Sequence, residues 1–283
     1  MSTIELRIPA SPFRRELAKI PAFVERDFLT AWSYRASFVT DMVSLVAHVL
    51  VFYFVGRLID PSRLPAYNGQ SSSYLQWASV GIALGIFMHF ALERVASAVR
   101  NEQLMGTFES VLVTPTRTAT FQAGSVSFDL LYLPLRTGVF LGGVALAFGL
   151  HFQAVGVAPA LLLLLAFVPF VWGLGLLCAA AVVTFRRGGN AVGFASMLIG
   201  LLSGVYFPIT LLPHWLAVVA AKNPVALAIN GMRSSLTGGE GISQIGGTLL
   251  VIIPAAAVSV AVGAALFRIA LRREQRLGTL GLY

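Results

Sequence analysis

The sequence predicts an all-α integral membrane protein with six transmembrane helices. Of its 283 residues, 57% are apolar and only 11% are charged, whereas about 25% of the residues of a soluble domain are charged. Residues 137–185 form a run of 49 without Asp, Glu, Lys or Arg. As one helix this run extends roughly 74 Å, more than twice the membrane's hydrocarbon core of about 30 Å. It therefore has to cross the membrane twice.

A charged N-terminal segment, residues 1–36, is predicted to precede the membrane domain. Ser11-Pro12 is typical of a helix start, and apolar residues recur at helical spacing from Phe13 to Trp32. We expect an interfacial helix over residues 11–33, bent near Pro21, that lies along the membrane surface. The segment has no short apolar core followed by a small-residue cleavage site, so no removable signal peptide is expected.

A single transmembrane domain is predicted for residues 37–270, followed by a cytoplasmic tail, residues 271–283. A polar loop at residues 60–72 and the turn at Arg186-Arg187 separate apolar segments. The predicted spans are residues 38–59, 74–92, 121–150, 157–185, 190–205 and 248–269.

The fifth predicted span is expected to break near its end. Gly204 and Pro208 interrupt a helix, and Pro213 and Pro224 punctuate the stretch that follows. We expect re-entrant half-helices over residues 206–232 at the outer edge of the membrane, and then a polar loop up to the sixth span. The break is a candidate outer gate, with Gly204, Tyr206, Phe207 and Pro208 as its residues.

The distribution of positive charge predicts the orientation. Fifteen of the twenty Lys and Arg residues fall in the N-terminal segment, the tail, and the connections after the second and fourth spans. The four on the opposite side are Arg57, Arg63, Lys222 and Arg233. The remaining one, Arg136, lies within a span. Because cytoplasmic loops carry the excess of Lys and Arg, both termini are predicted to be cytoplasmic. Topology thus explains the net charge of +8, and nucleic-acid binding is not expected.

The chain lacks the sequence motifs of an enzyme. Its two lysines, Lys19 and Lys222, do not lie in a G-x-x-x-x-G-K-[ST] loop, so it is not expected to bind ATP as P-loop proteins do. There is no H-E-x-x-H motif, and no G-x-S-x-G motif within a span. Cys178 is the single cysteine, which excludes an intrachain disulfide. We expect no catalytic residue, no metal and no bound cofactor in this chain.

Residues 101–113 are predicted to form a short amphipathic helix, ended by Pro115. The apolar side chains fall on one stripe, and the carboxylates of Glu102 and Glu109 fall away from it. The residues of the stripe are Leu104, Met105, Phe108, Val111 and Leu112. Two interpretations are open: a passive anchor at the membrane surface, or a docking surface for a soluble partner.

Ionisable residues within predicted spans are candidate functional groups. Asp129 and Arg136 lie seven residues apart on the third span, and hence on nearly one face. They either line a hydrated path or form an ion pair that fixes helix packing. A further hypothesis is a proton relay formed by Asp41, His48, His89 and Glu93. The alternative is that Asp41 and Glu93 lie at hydrated helix ends and that the two histidines are packing residues.

Two blocks of sequence resemble the ABC-2 type permeases, the membrane subunits of type V ABC exporters. The first block follows the second span and consists of Glu102, Gly106, Thr107, Phe108, Glu109, Thr114 and Pro115. The second begins at residues 203–208, continues through Leu212-Pro213, Trp215-Leu216 and Asn223-Pro224, and ends near Arg233. The tail, from Arg272-Arg273-Glu274 to Gly278-Thr279-Leu280, is also similar. The likeness covers nearly the whole chain.

The resemblance implies a set of partners. The residues of the first block would form the coupling helix, which docks into a separate ATPase subunit, and the interfacial helix would be the elbow helix. Two permeases, identical or related, and two ATPases would form the transporter, with ATP and Mg²⁺ held by the ATPases. This chain departs from some relatives in having no fused ATPase and only a modest outer loop.

The function expected from this resemblance is export across a bacterial or archaeal cytoplasmic membrane. The expected substrate is hydrophobic or amphipathic, such as a drug, an antibiotic or a lipid-like metabolite. A polysaccharide or lipid-linked glycan is the alternative within the class. Outside the class, the alternatives are an ion-driven secondary transporter that uses Asp129 or Asp41, and a structural membrane scaffold.

Overall fold

The computed structural model describes residues 20–33, 35–58, 65–67, 73–104, 118–185 and 188–277. This part of the chain is almost entirely helical. Its α-helices are α1 (Ile20–Ser33), α2 (Arg35–Gly56), α3 (Tyr74–Leu104), α4 (Thr118–Phe148), α5 (Val157–Phe185), α6 (Gly188–Leu202), α7 (His214–Ala221), α8 (Pro224–Gly238) and α9 (Gly246–Leu277). Short 3₁₀ turns at Ala154–Gly156 and Ile209–Leu211 precede α5 and α7.

Three of these helices are long and apolar enough to cross a membrane, namely α3, α5 and α9. The pair α7 and α8 meets the same criterion as a single broken unit, bent by 74°. The protein is therefore an all-α membrane protein. The count of six spans, which also requires α2, α4 and α6 to cross, stays a prediction.

The helix bounds agree with most of the predicted spans and differ at several ends. Helix α9 continues to Leu277, past the predicted end of the sixth span at residue 269 and into the predicted tail. Helix α5 coincides with the predicted fourth span. Helix α3 continues to Leu104, so the first four residues predicted for the coupling helix extend α3, and residues 105–117 lie outside the described residues. Helix α8 continues to Gly238, where the sequence predicted a polar loop from residue 234.

The polar residues near the end of α8 are buried because their hydroxyl groups bond within the helix. The Ser235 hydroxyl donates to the Gly231 carbonyl at 2.8 Å, and the Thr237 hydroxyl donates to the Arg233 carbonyl at 2.6 Å. Such bonds to the preceding turn satisfy the hydroxyl groups without water. The helix stops at Gly239, whose φ of +70° gives a left-handed cap.

Helix α5 is the centre of the bundle. Helix α9 lies along one side of it, where a Cβ on Gly263 would overlap with the Gly173 carbonyl, and the Ser259 hydroxyl donates to the Phe170 carbonyl at 2.9 Å. Helix α3 packs on another side, with the Phe87 and Phe167 rings 6.3 Å apart. Close approach through glycine, with a polar bond across it, is typical of membrane helix pairs.

The bundle has two distinct ends. At the hairpin end, where α7 and α8 meet, the Gln76 side-chain amide of α3 donates to the His151 carbonyl at 2.7 Å. At the α1 end, Phe28 of α1 contacts Phe128 of α4, with ring centroids 6.5 Å apart. Twenty residues of α3, from Tyr74 to Arg94, separate the two ends, or about 30 Å of helix.

Candidate functional site

A cavity of about 460 Å³ lies among α2, α3, α4 and α6. Most of its wall is apolar, and small residues of α3 and α6 leave the space open. The wall includes Ile82, Gly85 and Ile86 of α3 and Gly193, Met197 and Gly200 of α6. Clefts of about 300–1,000 Å³ hold drug-sized ligands in proteins, so this cavity has the size of a small-molecule site.

The cavity wall includes a charged side chain from the middle of a helix, that of Arg136. Arg136 of α4 is buried, and its guanidinium carbon lies 4.2 Å from the centroid of the Phe90 ring of α3. A cation over an aromatic face is attracted by the ring, most strongly away from water. His89 also lines the cavity, and its Nε2 lies 3.6 Å from a carboxylate oxygen of Glu93. The cavity thus combines an apolar wall with basic groups.

Two residues of the break after α6, residues 203–208, line the cavity at the hairpin end. Val205 is fully buried against α3, and Tyr206 stacks on Phe52 of α2, with ring centroids 5.6 Å apart and planes at 7°. The Tyr74 hydroxyl donates to the Tyr206 carbonyl at 2.9 Å. The break is therefore fixed to both α2 and α3.

The conformation of the break is encoded at Gly204 and Ser203. Gly204 has a φ of +70°, in the left-handed region that favours glycine. The Ser203 hydroxyl accepts a bond of 2.9 Å from the side-chain amide of Asn223, which also caps α8 by accepting from the Val225 amide at 3.0 Å. Pro208 then precedes the 3₁₀ turn. The helix ends at Leu202, six residues after the buried Ser196, because the chain turns at Gly204 before Pro208 is reached.

Arg233 is the residue that sequence reasoning missed. The sequence analysis counted it among the loops of the outer side, but it lies on α8 and is only 1% exposed. Its Nε donates to the Trp77 carbonyl at 3.0 Å, and its Nη2 donates to the Val205 carbonyl at 3.2 Å. Its guanidinium carbon lies 3.5 Å from the centroid of the Trp77 ring. The sequence did contain a signal of this burial. Arg233 follows the Asn223 cap by ten residues and is the one charged residue of the helix that this cap begins.

At the α1 end, a buried carboxylate joins α1 to α3. Asp27 accepts a bond from Arg26 Nε at 3.0 Å, and its other oxygen lies 3.9 Å from Arg94 Nη2. Arg94 belongs to the last three turns of α3, just before the predicted coupling segment. A carboxylate between two guanidinium groups holds α1 against this part of α3.

The structure places the predicted path residues around the cavity only in part. Arg136 and Tyr206 line it, Gly204 shapes its hairpin end, and Phe207 and Pro208 follow in the same break. Asp129 lies in α4 but its side chain is not among those described, so its pairing with Arg136 stays a prediction. The same holds for the side chains of Asp41, His48 and Glu102. The remaining predicted coupling residues lie outside the described residues: Gly106, Thr107, Phe108, Glu109, Thr114 and Pro115.

The apolar helices, with a cavity among them, define an all-α membrane protein. A family model described as ABC-2 type transporter matches residues 19–237, and the chain belongs to this family. It is 28% identical over 198 residues to the inner membrane transport permease YadH of Escherichia coli K12, which covers 69% of this chain and 74% of the relative. The Shigella flexneri protein of the same name matches equally. The chain is thus a transport permease of an ABC transporter, a family that normally works with an ATPase subunit.

The geometry of the break makes a prediction about Gly204. A Gly204→Ala substitution should lower the free energy of unfolding in detergent by at least about 1–2 kcal/mol, because a non-glycine residue is strained at positive φ. The new Cβ would also lie 2.9 Å from Ile209 Cγ2. Gly200→Ala is the matched control, since its Cβ meets only Val205 Cγ2 at 4.0 Å. Equal stability of the two variants would show that the break does not depend on the left-handed glycine.

Proposed function

We propose that this chain is the membrane subunit of an ABC exporter, and that the cavity among α2, α3, α4 and α6 is part of its translocation path. The observation that carries the proposal is the position of the cavity. It lies between helices of an ABC-2 family member, and the separately anchored break after α6 lines its hairpin end. In this proposal the break closes that end. A path that is closed at one end is what alternating access requires.

The lining of the cavity favours a small amphipathic substrate. Ile86, Phe90 and Met197 offer apolar surface, while Arg136 and His89 offer positive charge or hydrogen bonds at one side. A volume of about 460 Å³ fits a drug, an antibiotic or a lipid-like metabolite. A polysaccharide or a lipid-linked glycan is the alternative, and it requires a longer polar groove.

The energy source in this proposal is a separate ATPase at the α1 end. Helix α3 connects the cavity to the predicted coupling helix, residues 101–113, without an interruption before Leu104. The contact of Asp27 with Arg94 also links α1 to this helix. Movement of the docked ATPase would therefore be passed along α3 to the cavity wall. ATP and Mg²⁺ would be held by the ATPase.

The proposed arrangement has six spans and two permease copies. Helices α2, α4 and α6 add to the three long apolar helices, and the α7–α8 pair enters the membrane from the outer side and returns. Exposed apolar residues of α6 outside the cavity wall, such as Phe194, Leu198 and Leu201, face lipid or the second permease. The hairpin end is then external and both termini are cytoplasmic. Because Arg233 is buried in a helix, the basic residues assigned to the outer loops from the sequence are reduced to Arg57, Arg63 and Lys222.

This orientation can be tested with single cysteines in a Cys178→Ala background. Ser243→Cys, in the exposed turn between α8 and α9, should react with a membrane-impermeant thiol reagent in intact cells. Arg276→Cys, near the exposed end of α9, should react only after the cells are permeabilised, because positive charge is retained on the cytoplasmic side. The opposite labelling pattern would overturn the orientation.

The docking of the ATPase can be tested at the two carboxylates of the coupling helix. Glu102→Ala with Glu109→Ala should reduce both ATP-dependent transport in vesicles and recovery of the co-purified ATPase. Truncating one side of a buried charged contact costs about 2–5 kcal/mol, against about 0.2–1 kcal/mol for an exposed pair. Binding should therefore weaken at least tenfold if the carboxylates are buried in the interface.

Leu104→Ala is the control for the apolar stripe, and should mainly affect membrane contact if the segment is only an anchor. Wild-type recovery of the ATPase in the double variant would overturn docking through these carboxylates. Transport that needs an ion gradient but no ATP would favour the secondary-transporter alternative. An absence of transport under either condition would favour the scaffold.

A further inference from the structure

Arg233 connects three elements that are far apart in the sequence. It lies on α8, while its two carbonyl acceptors belong to Trp77 of α3 and to Val205 of the break. The Tyr67 hydroxyl, which donates to Asn230 Oδ1 at 3.3 Å, also lies near the guanidinium. One side chain therefore determines how the hairpin, the break and α3 sit against each other.

The fit between Arg233 and the break depends on glycine residues of α3. A Cβ on Gly81 would overlap with both the Arg233 guanidinium and the Val205 carbonyl. One turn further along the same face, a Cβ on Gly85 would lie 3.0 Å from Val205 Cγ1. Helix α3 thus has a shallow groove in which the break and the guanidinium meet.

The Val205 carbonyl is available because α6 has already ended. The last residue of α6 is Leu202, and the turn at Gly204 takes Val205 out of the helical hydrogen-bond pattern. A buried carbonyl without a helical partner needs another donor, and a buried guanidinium needs acceptors. Each group satisfies the other, so the interruption of α6 and the charge on α8 stabilise one another.

Because the Arg233 guanidinium has several partners, its bond to the Val205 carbonyl can break while the other contacts of the guanidinium remain. A bond from a cation to a neutral carbonyl is weaker than a close pair of opposite charges. If Val205 moves away from α3, the guanidinium keeps the Trp77 carbonyl, the Trp77 ring and the Tyr67 hydroxyl. The guanidinium therefore keeps other partners, while the bond from the Tyr74 hydroxyl to the Tyr206 carbonyl has to break as well.

We propose that Arg233 is a latch that holds the break after α6 against α3, and that release of the Val205 carbonyl is a step in opening the cavity at the hairpin end. Arg233 is a positioning residue in this proposal, since it acts through Val205 and not on a transported molecule. Its role in transport rests on the proposed function. The position of the break itself can be measured without transport.

The test is a disulfide between the break and α3. A Cβ on Gly85 would lie 3.8 Å from the Val205 Cβ, within the separation of about 3.5–4.5 Å that a disulfide requires. Gly85→Cys with Val205→Cys, in a Cys178→Ala background, should therefore cross-link under mild oxidation. Adding Arg233→Gln should slow the cross-linking by up to about tenfold, the factor that corresponds to one lost hydrogen bond from a charged group.

Arg57→Gln is the matched control, because Arg57 is also at the hairpin end but is exposed and bonds to the Tyr53 hydroxyl. It should leave the cross-linking rate unchanged. If Arg233→Gln yields no folded protein, Arg233→Lys decides: Lys lacks the fork that reaches two carbonyls and should also slow the reaction. An unchanged rate in a folded Arg233 variant would overturn the latch.

The functional part of the proposal uses the same cysteine pair in the complex with the ATPase. Oxidation should stop ATP-dependent transport, and reduction should restore it. Continued transport by the fully cross-linked protein would overturn the opening step. The cross-linking rates need neither substrate nor ATPase, so they test the latch even if the proposed transport function fails.

Discussion

The burial of the Arg233 guanidinium is the constraint on which the hairpin end of this protein depends. A cation taken out of water needs acceptors with good geometry, and this one receives carbonyl oxygens from α3 and from the break after α6. The break in α6, the left-handed Gly204 and the absence of a side chain at Gly81 are each required for that arrangement. These features occur far apart in the chain, but they form a single structural unit.

Helix α3 relates this unit to the rest of the molecule. Its first turns contact the hairpin through Gln76 and Trp77, its middle lines the cavity, and Arg94 near its other end contacts Asp27 of α1. A long continuous helix moves as a rod more easily than it bends within one turn. In the proposed exporter, a displacement at the ATPase would therefore act on the cavity and on the break together.

The sequence predicted the helices well where hydropathy alone decides them. The bounds of α5 agree because the charge-free run around it allows one position for the turn. The extension of α8 was missed because Ser234, Ser235 and Thr237 resemble a loop, whereas their hydroxyl groups bond within the fold. The burial of Arg233 could not be predicted, because its acceptors lie 28 and 156 residues away and one of them exists only where α6 breaks.

The most direct measurement of the central claim is the access of water-soluble reagents to Ser196, a buried residue of α6 in the cavity wall. In a Cys178→Ala background, Ser196→Cys should be shielded from an impermeant thiol reagent added at the hairpin side, and should become reactive when the ATPase partner hydrolyses ATP. Phe194→Cys, on the exposed side of α6, is the control, and its reactivity should not depend on ATP. Equal reactivity of Ser196→Cys with and without ATP would contradict a cavity closed by the break.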